Sequence, residues 1–337
     1  MAMEMAFTRT LLVKPVLEGV ERSFGLTPQA LGIPARLLAE PMSCVPMPDQ
    51  GQWYQAIEAL SGDPLFMLRA LEGQVIESLG PVGKWFVSAP DLATTLRRVN
   101  YSSSALQSGL SAYGAQSGKI FKWCFDNPYA KGDAKFHDGC RKAILVKQVL
   151  SRYPGSETPW LRLRLPGPSR NPERLSAYFG CEVELGARQT EVWLPMALMA
   201  RSRRAALAPP STQGLVLDDL LNMPGHTDIA KSFYELVNYS RHYGYPTIGF
   251  VAKRYGLSEQ QLQRRLHRFG WNFTSVVNYV LFNQAVRYLL EGLSVSDTAR
   301  YLGYRNPQSF SKAFARQRGV TPNQYLEQLA QAQKSPP

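Results

Sequence analysis

One pattern occurs twice in the C-terminal third of the chain, 47 residues apart. The first copy reads Ala252-x3-Gly256-x-Ser258-x3-Leu262-x3-Leu266, the second Ala299-x3-Gly303-x6-Phe310-x3-Phe314. In each copy a small Ala on a short helix is followed four residues later by Gly, where the chain must turn. A second helix follows, with an apolar i, i+4 pair on one side and polar or basic residues on the other. Such a repeat folds as two helix-turn-helix units. Between them, 273–291 is one long apolar-striped stretch ended by Gly292, with Val276, Val280 and Leu289 among its buried positions. The region is therefore predicted to be all-α, two such units joined by a long helix. The copies differ: the second turn is one residue longer, and the exposed faces carry different residues.

Charge is concentrated in the same place. The 337-residue chain carries a formal charge of +12, and residues 241–318 hold 12 Lys/Arg against 3 Asp/Glu. A basic segment of this density points to a polyanion. The second helix of a helix-turn-helix can lie in a major groove, so double-stranded DNA is the predicted partner. In the first unit, Leu262, Leu266 and Phe269 share the expected buried face, and Gln260, Gln263, Arg264 and His267 the opposite one, after a cap at Ser258. Gln suits adenine edges and Arg suits guanine. In the second unit, Pro307 opens the helix, and Gln308, Ser311, Lys312 and Arg316 project away from Phe310, Ala313 and Phe314. Gln308 and Lys312 are the expected base readers, with Arg305, Arg316 and Arg318 on phosphates. One chain is then expected to span two turns of DNA, about 34 Å centre to centre on a straight duplex.

The stretch Ser294 to Tyr325, with Gly303-Tyr304, Phe310-x3-Phe314 and Gly319-x-Thr321-Pro322-x2-Tyr325, resembles the second helix-turn-helix signature of AraC/XylS-type transcription regulators. Leu257-Ser258-x3-Leu262-x-Arg264-Arg265-Leu266-x3-Gly270-x2-Phe273 resembles the first unit of that family, and together they cover about 228–326. The resemblance implies base contacts at Gln260, Gln263 and Arg264, and around Pro307, Gln308, Ser311 and Lys312. It also implies RNA polymerase as a partner. Two positions depart from the family pattern: Leu281 stands where many relatives have Arg in the long helix, and Leu326 follows Tyr325 where relatives often have Arg.

Residues 1–200 read as an α+β domain for effector binding and dimerisation. Val16, Leu17, Val20 and Phe24 make a helical stripe ending at Gly25. A helix within 52–71 breaks at Gly62-Asp63-Pro64, and Asp91 caps a helix through Leu92, Leu96 and Val99. Residues 106–125 show partial period-two alternation, and 160–165 alternate cleanly as a half-buried strand. A short helix is expected over 171–179, then a strand with its exit over 181–194. The basic, Pro-containing stretch 201–214 opens a linker, 201–227, before the domain at 228–330, and the polar tail after Leu326 is expected to fray.

Leu31-Gly-Ile-Pro, Gly62-Asp63-Pro64-x4-Arg69, Leu92-x3-Leu96 and Tyr178-Phe179-Gly180 resemble the arabinose-binding-type N-terminal domain of a regulator subgroup. That resemblance implies a small-molecule effector, a homodimer, or both. Arg69, Trp85, Arg97, Tyr101 and Trp123 are the candidate effector residues, and the pair Arg170 and Arg174 is a candidate anion grip, the alternative being a solvated helix face. The competing reading is a ligand-independent DNA-binding regulator set by abundance, a partner protein or redox state.

Enzymatic function is not expected. No GxSxG, P-loop, HExxH or dinucleotide fingerprint occurs. His137-x2-Cys140 with Cys124 falls short of the four ligands of a zinc site, so neither metal nor cofactor is expected. Cys44, Cys124, Cys140 and Cys181 form no CxxC and no signal peptide precedes them, which suggests free thiols in the cytoplasm. No apolar stretch reaches eighteen residues, so no membrane partner is expected.

Overall fold

The structure, a computed structural model, describes residues 3–153, 160–168, 170–202, 221–225 and 227–334. It divides into two compact units, one of Ala6–Thr227 and one of Met1–Met5 with Asp228–Pro337. Among the described residues no helix is long and apolar enough to cross a membrane.

The unit Ala6–Thr227 is α+β. Strand β1 (Phe7–Arg9) pairs antiparallel with β2 (Cys44–Pro46). Helix α1 (Thr10–Phe24) buries Val16, Leu17 and Val20 and stops at Gly25, whose φ of 68° takes the left-handed turn. After α2 (Ala35–Leu38), α3 (Met47–Ser61) ends at Gly62, α4 (Phe66–Ala70) and α5 (Gly80–Val87) follow, and α6 (Leu92–Leu106) starts where the Asp91 carboxylate accepts from Thr94 N at 2.7 Å. The period-two region becomes the hairpin β3 (Ser111–Ser117) and β4 (Ile120–Asp126). Next comes α7 (Gly132–Leu150), then β5 (Arg162–Leu165), α8 (Pro172–Phe179), β6 (Val183–Leu185) and β7 (Thr190–Pro195). The five-stranded sheet has the order β3-β4-β7-β5-β6, antiparallel except for β5 with β6, which α8 connects as a crossover. α7 packs on β5 and β7 with one side and on α3 and α4 with another, and so forms the centre of this unit.

One sequence expectation changes here. Residues 181–194 form two strands separated by a turn at Gly186, whose φ is 79°, instead of one strand and its exit. The expected linker, 201–227, lies outside the described residues at 203–220 and 226, and its ends pack on this unit. Leu92 N donates to Arg201 O at 3.2 Å. The Arg9 guanidinium donates to Asn222 Oδ1 at 2.7 Å, and Ser108 Oγ donates to Pro224 O at 2.9 Å.

The second unit is all-α: α9 (Ile229–Ser240), α10 (Ile248–Arg254), α11 (Glu259–Arg268), α12 (Phe273–Leu290), α13 (Val295–Tyr301), α14 (Pro307–Arg318) and α15 (Pro322–Lys334). Phe233, Leu236 and Val237 give α9 its buried stripe, and Thr247 caps α10 by accepting from Phe250 N at 3.2 Å. In α12, Val277, Val280, Leu281 and Leu289 are buried, while Val276 is only half-buried. α15 runs on past Leu326, where fraying was expected, to Lys334. Met5 belongs to this unit, its carbonyl oxygen accepting from Ser232 Oγ at 3.4 Å.

Candidate nucleic-acid interface

Each presenting helix is fixed at its start by side chains that satisfy free amide groups. Ser258 Oγ accepts from Gln261 N at 3.2 Å and Gln261 Oε1 accepts from Ser258 N at 2.9 Å, a reciprocal cap that sets the first residue of α11. On α14, Asn306 Oδ1 accepts from Ser309 N at 2.8 Å, and Pro307 sits at the first helical position, where no amide proton is needed. Each cap is worth about 1 kcal/mol. Asn272 and Ser294 cap α12 and α13 in the same way.

The two helices are anchored by different chemistry. α11 buries Leu262 and Leu266. α14 buries Phe310 and Phe314 in a train of rings: Tyr304 to Phe310 at 5.5 Å, Phe314 to Phe282 of α12 at 5.3 Å, and Phe314 to Tyr325 of α15 at 5.6 Å. Ring pairs at this spacing add about 0.5–1.5 kcal/mol each beyond burial. Phe269, expected on the buried face of α11, is 44% exposed instead. The helix ends at Arg268, the chain turns at Gly270 with φ 71°, and Phe269 stacks on Trp271 at 5.1 Å outside the core.

Opposite these anchors, Gln260, Gln263, Arg264 and His267 on α11 and Gln308, Lys312 and Arg316 on α14 are exposed, and Ser311 is half-exposed. None of these eight side chains is held in a hydrogen bond or ion pair with a described residue. Other basic groups of the same unit are engaged. Arg254 lies 3.3 Å over the Phe250 ring, Arg287 pairs with Glu291 at 2.8 Å, and Arg300 with Asp297 at 2.7 Å. Arg318, expected on a phosphate, lies across the rings of Phe282 and Tyr325 at 5.3 and 5.5 Å. The basic excess thus separates into cations that brace the helices and a free set on two presenting faces. Leu281, at the position where relatives carry Arg, is buried and lines a small cleft with Phe282, Phe310 and Phe314.

The candidate effector residues do not gather into one site. Arg69 is exposed, lies over the Phe24 ring at 4.5 Å and donates to Ser23 O. Trp85 is 37% exposed, with Arg98 stacked on it at 5.2 Å; Arg97 is exposed, and Tyr101 is 76% exposed. Trp123 is fully buried and donates from Nε1 to Asn100 Oδ1 at 2.8 Å, so it is a core residue of the sheet. The reason is helical phase. Arg97 and Tyr101 lie on the outer face of α6, whereas Asn100 is turned toward the sheet. Arg170 and Arg174, the candidate anion grip, are each paired with acids of the chain. Arg170 pairs with Glu58 and Asp133, and Arg174 forms a two-pronged pair with Asp63 at 2.7 and 2.9 Å. His137 is held by Glu58 at 2.7 Å within the first of these clusters. Burial pushes the His137 pKa below its usual range.

Sequence reasoning also passed over a buried charge cluster on α7. Asp138, Arg141 and Lys142 are each at most 5% exposed; Arg141 donates to Asp138 Oδ1 at 2.7 Å and Lys142 to Asp138 Oδ2 at 2.5 Å. The available signal was three charges at i, i+3 and i+4 among Phe136, Cys140, Ala143, Ile144 and Val146. That spacing puts the charges on one face of a helix whose other faces are apolar.

Comparison with known proteins agrees with both halves. Residues 251–328 match a helix-turn-helix domain family, and residues 27–202, just over half of the chain, match the arabinose-binding domain of AraC transcription regulators. No curated protein matches the chain. It is similar to the crystal structure of the transcriptional regulator CdpR from Pseudomonas aeruginosa, at 22% identity over 91% of this chain and 97% of that one, with a TM-score of 0.40. The chain belongs to the AraC family of transcription regulators, with an arabinose-binding-type domain ahead of its helix-turn-helix domain.

Proposed function

We propose that the chain is a sequence-specific regulator that reads an asymmetric DNA site through two non-equivalent helices, under control of a small molecule bound by the unit Ala6–Thr227. One observation carries the reading of DNA: the side chains of Gln260, Gln263, Arg264, Gln308 and Lys312 are exposed and unpaired on capped helices, while neighbouring cations are engaged internally. Arg and Gln can each make two hydrogen bonds to one base edge, worth about 1–3 kcal/mol of discrimination per base. His267, Ser311 and Arg316 flank the readers and orient the helices on the backbone. Differing faces on one chain imply that the two half-sites differ in sequence.

A homodimer would place two such sites side by side, and an effector favouring one domain arrangement would shift which sites are occupied. RNA polymerase is the partner through which occupancy becomes transcription. Selection of bound sequences from a random duplex library tests the DNA reading. A single asymmetric motif is expected, and Arg264→Ala with Lys312→Ala should erase the preference at distinct positions. Uniform weakening on all sequences would instead indicate a non-specific packager. Thermal-shift screening of the full chain against metabolites, with DNA affinity read in parallel, tests control by an effector.

A further inference from the structure

The two helix-turn-helix units are joined by α12, whose 18 residues span about 27 Å at about 1.5 Å per residue. Phe314 of α14 rests on Phe282, midway along that helix. Such a contact fixes the position of α14 better than its angle. On a straight duplex the two readers would meet DNA about 34 Å apart, and base pairs step by about 3.4 Å. Rotating one reader by about 6° about the other therefore displaces it by about 3.5 Å, one base-pair step. A protein that reads both halves at one spacing needs its readers held within a few degrees.

A second connection supplies that restraint. The turn of the second unit lies on the loop between α9 and α10, where a Cβ on Gly303 would fall 2.8 Å from Gly244 O. Gly244 itself has φ 135°, a backbone conformation that side chains disfavour, so the two segments meet as glycine on glycine. Beside them the Tyr245 and Tyr304 rings pack edge to face. Tyr304 in turn packs on Phe310, the buried anchor of α14. On the other side, only Pro246 separates Tyr245 from Thr247, the cap of α10. α10 is held close to the first turn of α11, where Glu259 Oε1 fills the space in front of Gly249. A chain of contacts therefore runs from one reading helix to the other without passing through α12. Tyr245 is 44% exposed, so its ring adds little to the core of the unit.

We propose that Tyr245 and Gly303 are positioning residues that lock the angle between α11 and α14, and so set the number of base pairs the protein accepts between its two half-sites. With α12 as one side of the frame and the glycine–tyrosine junction as the other, α14 cannot swing about Phe282 freely. One direction drives Gly303 into the backbone of Gly244 and Tyr245, and the other parts the tyrosine rings. Neither residue acts by touching DNA. The proposal rests on the DNA reading given above and names what fixes the spacing of the site.

The test uses the full-length protein and the motif recovered by selection. Duplexes carry the two halves at the selected spacing, one base pair closer and one base pair farther apart, and a further duplex has the second half scrambled. Wild type is expected to lose at least tenfold in affinity when the spacing changes by one base pair. Tyr245→Ala alters an exposed side chain and should cut that loss to threefold or less, while binding the scrambled duplex as wild type does. Tyr245→Phe keeps the ring and should keep the tenfold loss. Gly303→Ala presses on the junction from the other side and should lower the loss or move the optimum to another spacing, so it reports even if the first variant folds poorly. A tenfold loss retained in Tyr245→Ala would overturn the proposal. So would an equal weakening of Tyr245→Ala on every duplex, the scrambled one included, which marks a direct DNA contact or a general loss of folding. A wild type that selects a two-part motif but tolerates every spacing overturns the proposal and leaves the DNA reading standing. Selection that recovers no two-part motif removes that reading, and the proposal with it.

Discussion

Gly303 lies directly against Gly244. A Cβ built on Gly303 would stand 2.6 Å from the Gly244 carbonyl carbon and 2.5 Å from Tyr245 N, closer than real side chains approach backbone. The turn of the second helix-turn-helix is thus pressed onto the loop that follows α9, and the Tyr245 and Tyr304 rings meet beside it at 5.4 Å. The corresponding glycine of the first unit, Gly256, has a similar φ, 64° against 80°, but nothing within 4 Å of its missing Cβ. The repeated glycines therefore answer to different constraints, one conformational and the other conformational and steric.

Gly256→Ala should cost about 1–2 kcal/mol, the penalty of a left-handed alanine. Gly303→Ala should cost that and about 1–3 kcal/mol more, since backbone must move to admit the methyl group. Urea denaturation of both variants checks the order. Equal losses would mean that the contact with Gly244 is loose.

The free and engaged arginines should separate in binding data. Arg264→Ala is expected to lose about 1–3 kcal/mol of discrimination at one base position. Arg316→Ala should weaken all duplexes alike and lower the salt slope by about one. Arg318→Ala should leave the salt slope intact and reduce the melting temperature, because its guanidinium braces Phe282 and Tyr325. Fluorescence anisotropy across a salt series distinguishes the three, and a changed slope for Arg318→Ala would return that residue to the DNA.

The presenting helices were legible because local chemistry and tertiary role coincide there: a cap, a polar face and an apolar i, i+4 pair all fall within a dozen residues. The stripe of α1, the Asp91 cap and the 162–165 strand were readable for the same reason. α7 was not. It is buried on nearly every side and carries His137, Asp138, Arg141 and Lys142 in its interior, so apolar and polar residues show no clean period. The effector candidates are dispersed for a related reason. Aromatic content says how much surface wants burial, but whether Trp123 lines a pocket or fills a core depends on the strands and helix around it. Arg170 and Arg174 read as a free basic pair because their acids, Glu58, Asp133 and Asp63, come from distant parts of the chain.

Control by thiol oxidation predicts a reactive cysteine, and three of the four described thiols, Cys124, Cys140 and Cys181, are poorly suited to it. Burial pushes Cys140 far above the ordinary thiol range, and burial with the Glu191 carboxylate raises Cys124. Cys181, half-buried, is pushed up to about 11. The thiolate is the reactive species, so all three should be sluggish near neutral pH. Native protein should react slowly with a disulfide reagent at Cys181, and at Cys140 and Cys124 only after denaturation. Cys140→Ser should leave DNA affinity unchanged with or without peroxide. A peroxide-dependent loss abolished by that substitution would restore the redox reading.

Asp138 should govern the acid limb of stability. Burial alone would raise its pKa, but Lys142 and Arg141 outweigh that effect and hold it at about 2, below the ordinary 3.8. A carboxyl that binds its proton less readily when folded stabilises the fold above the unfolded pKa. That contribution is present at neutral pH and disappears as pH falls from about 4 to about 2. Asp138→Asn leaves two buried cations without a partner and should cost about 3–5 kcal/mol at pH 7. The gap between variant and wild type should narrow across the acid window, because there the wild-type carboxyl is neutralised as well. Urea melts at pH 7, 4 and 3 measure this directly. A gap that stays constant down to pH 3 would mean that the Asp138 carboxylate is not what the two cations depend on.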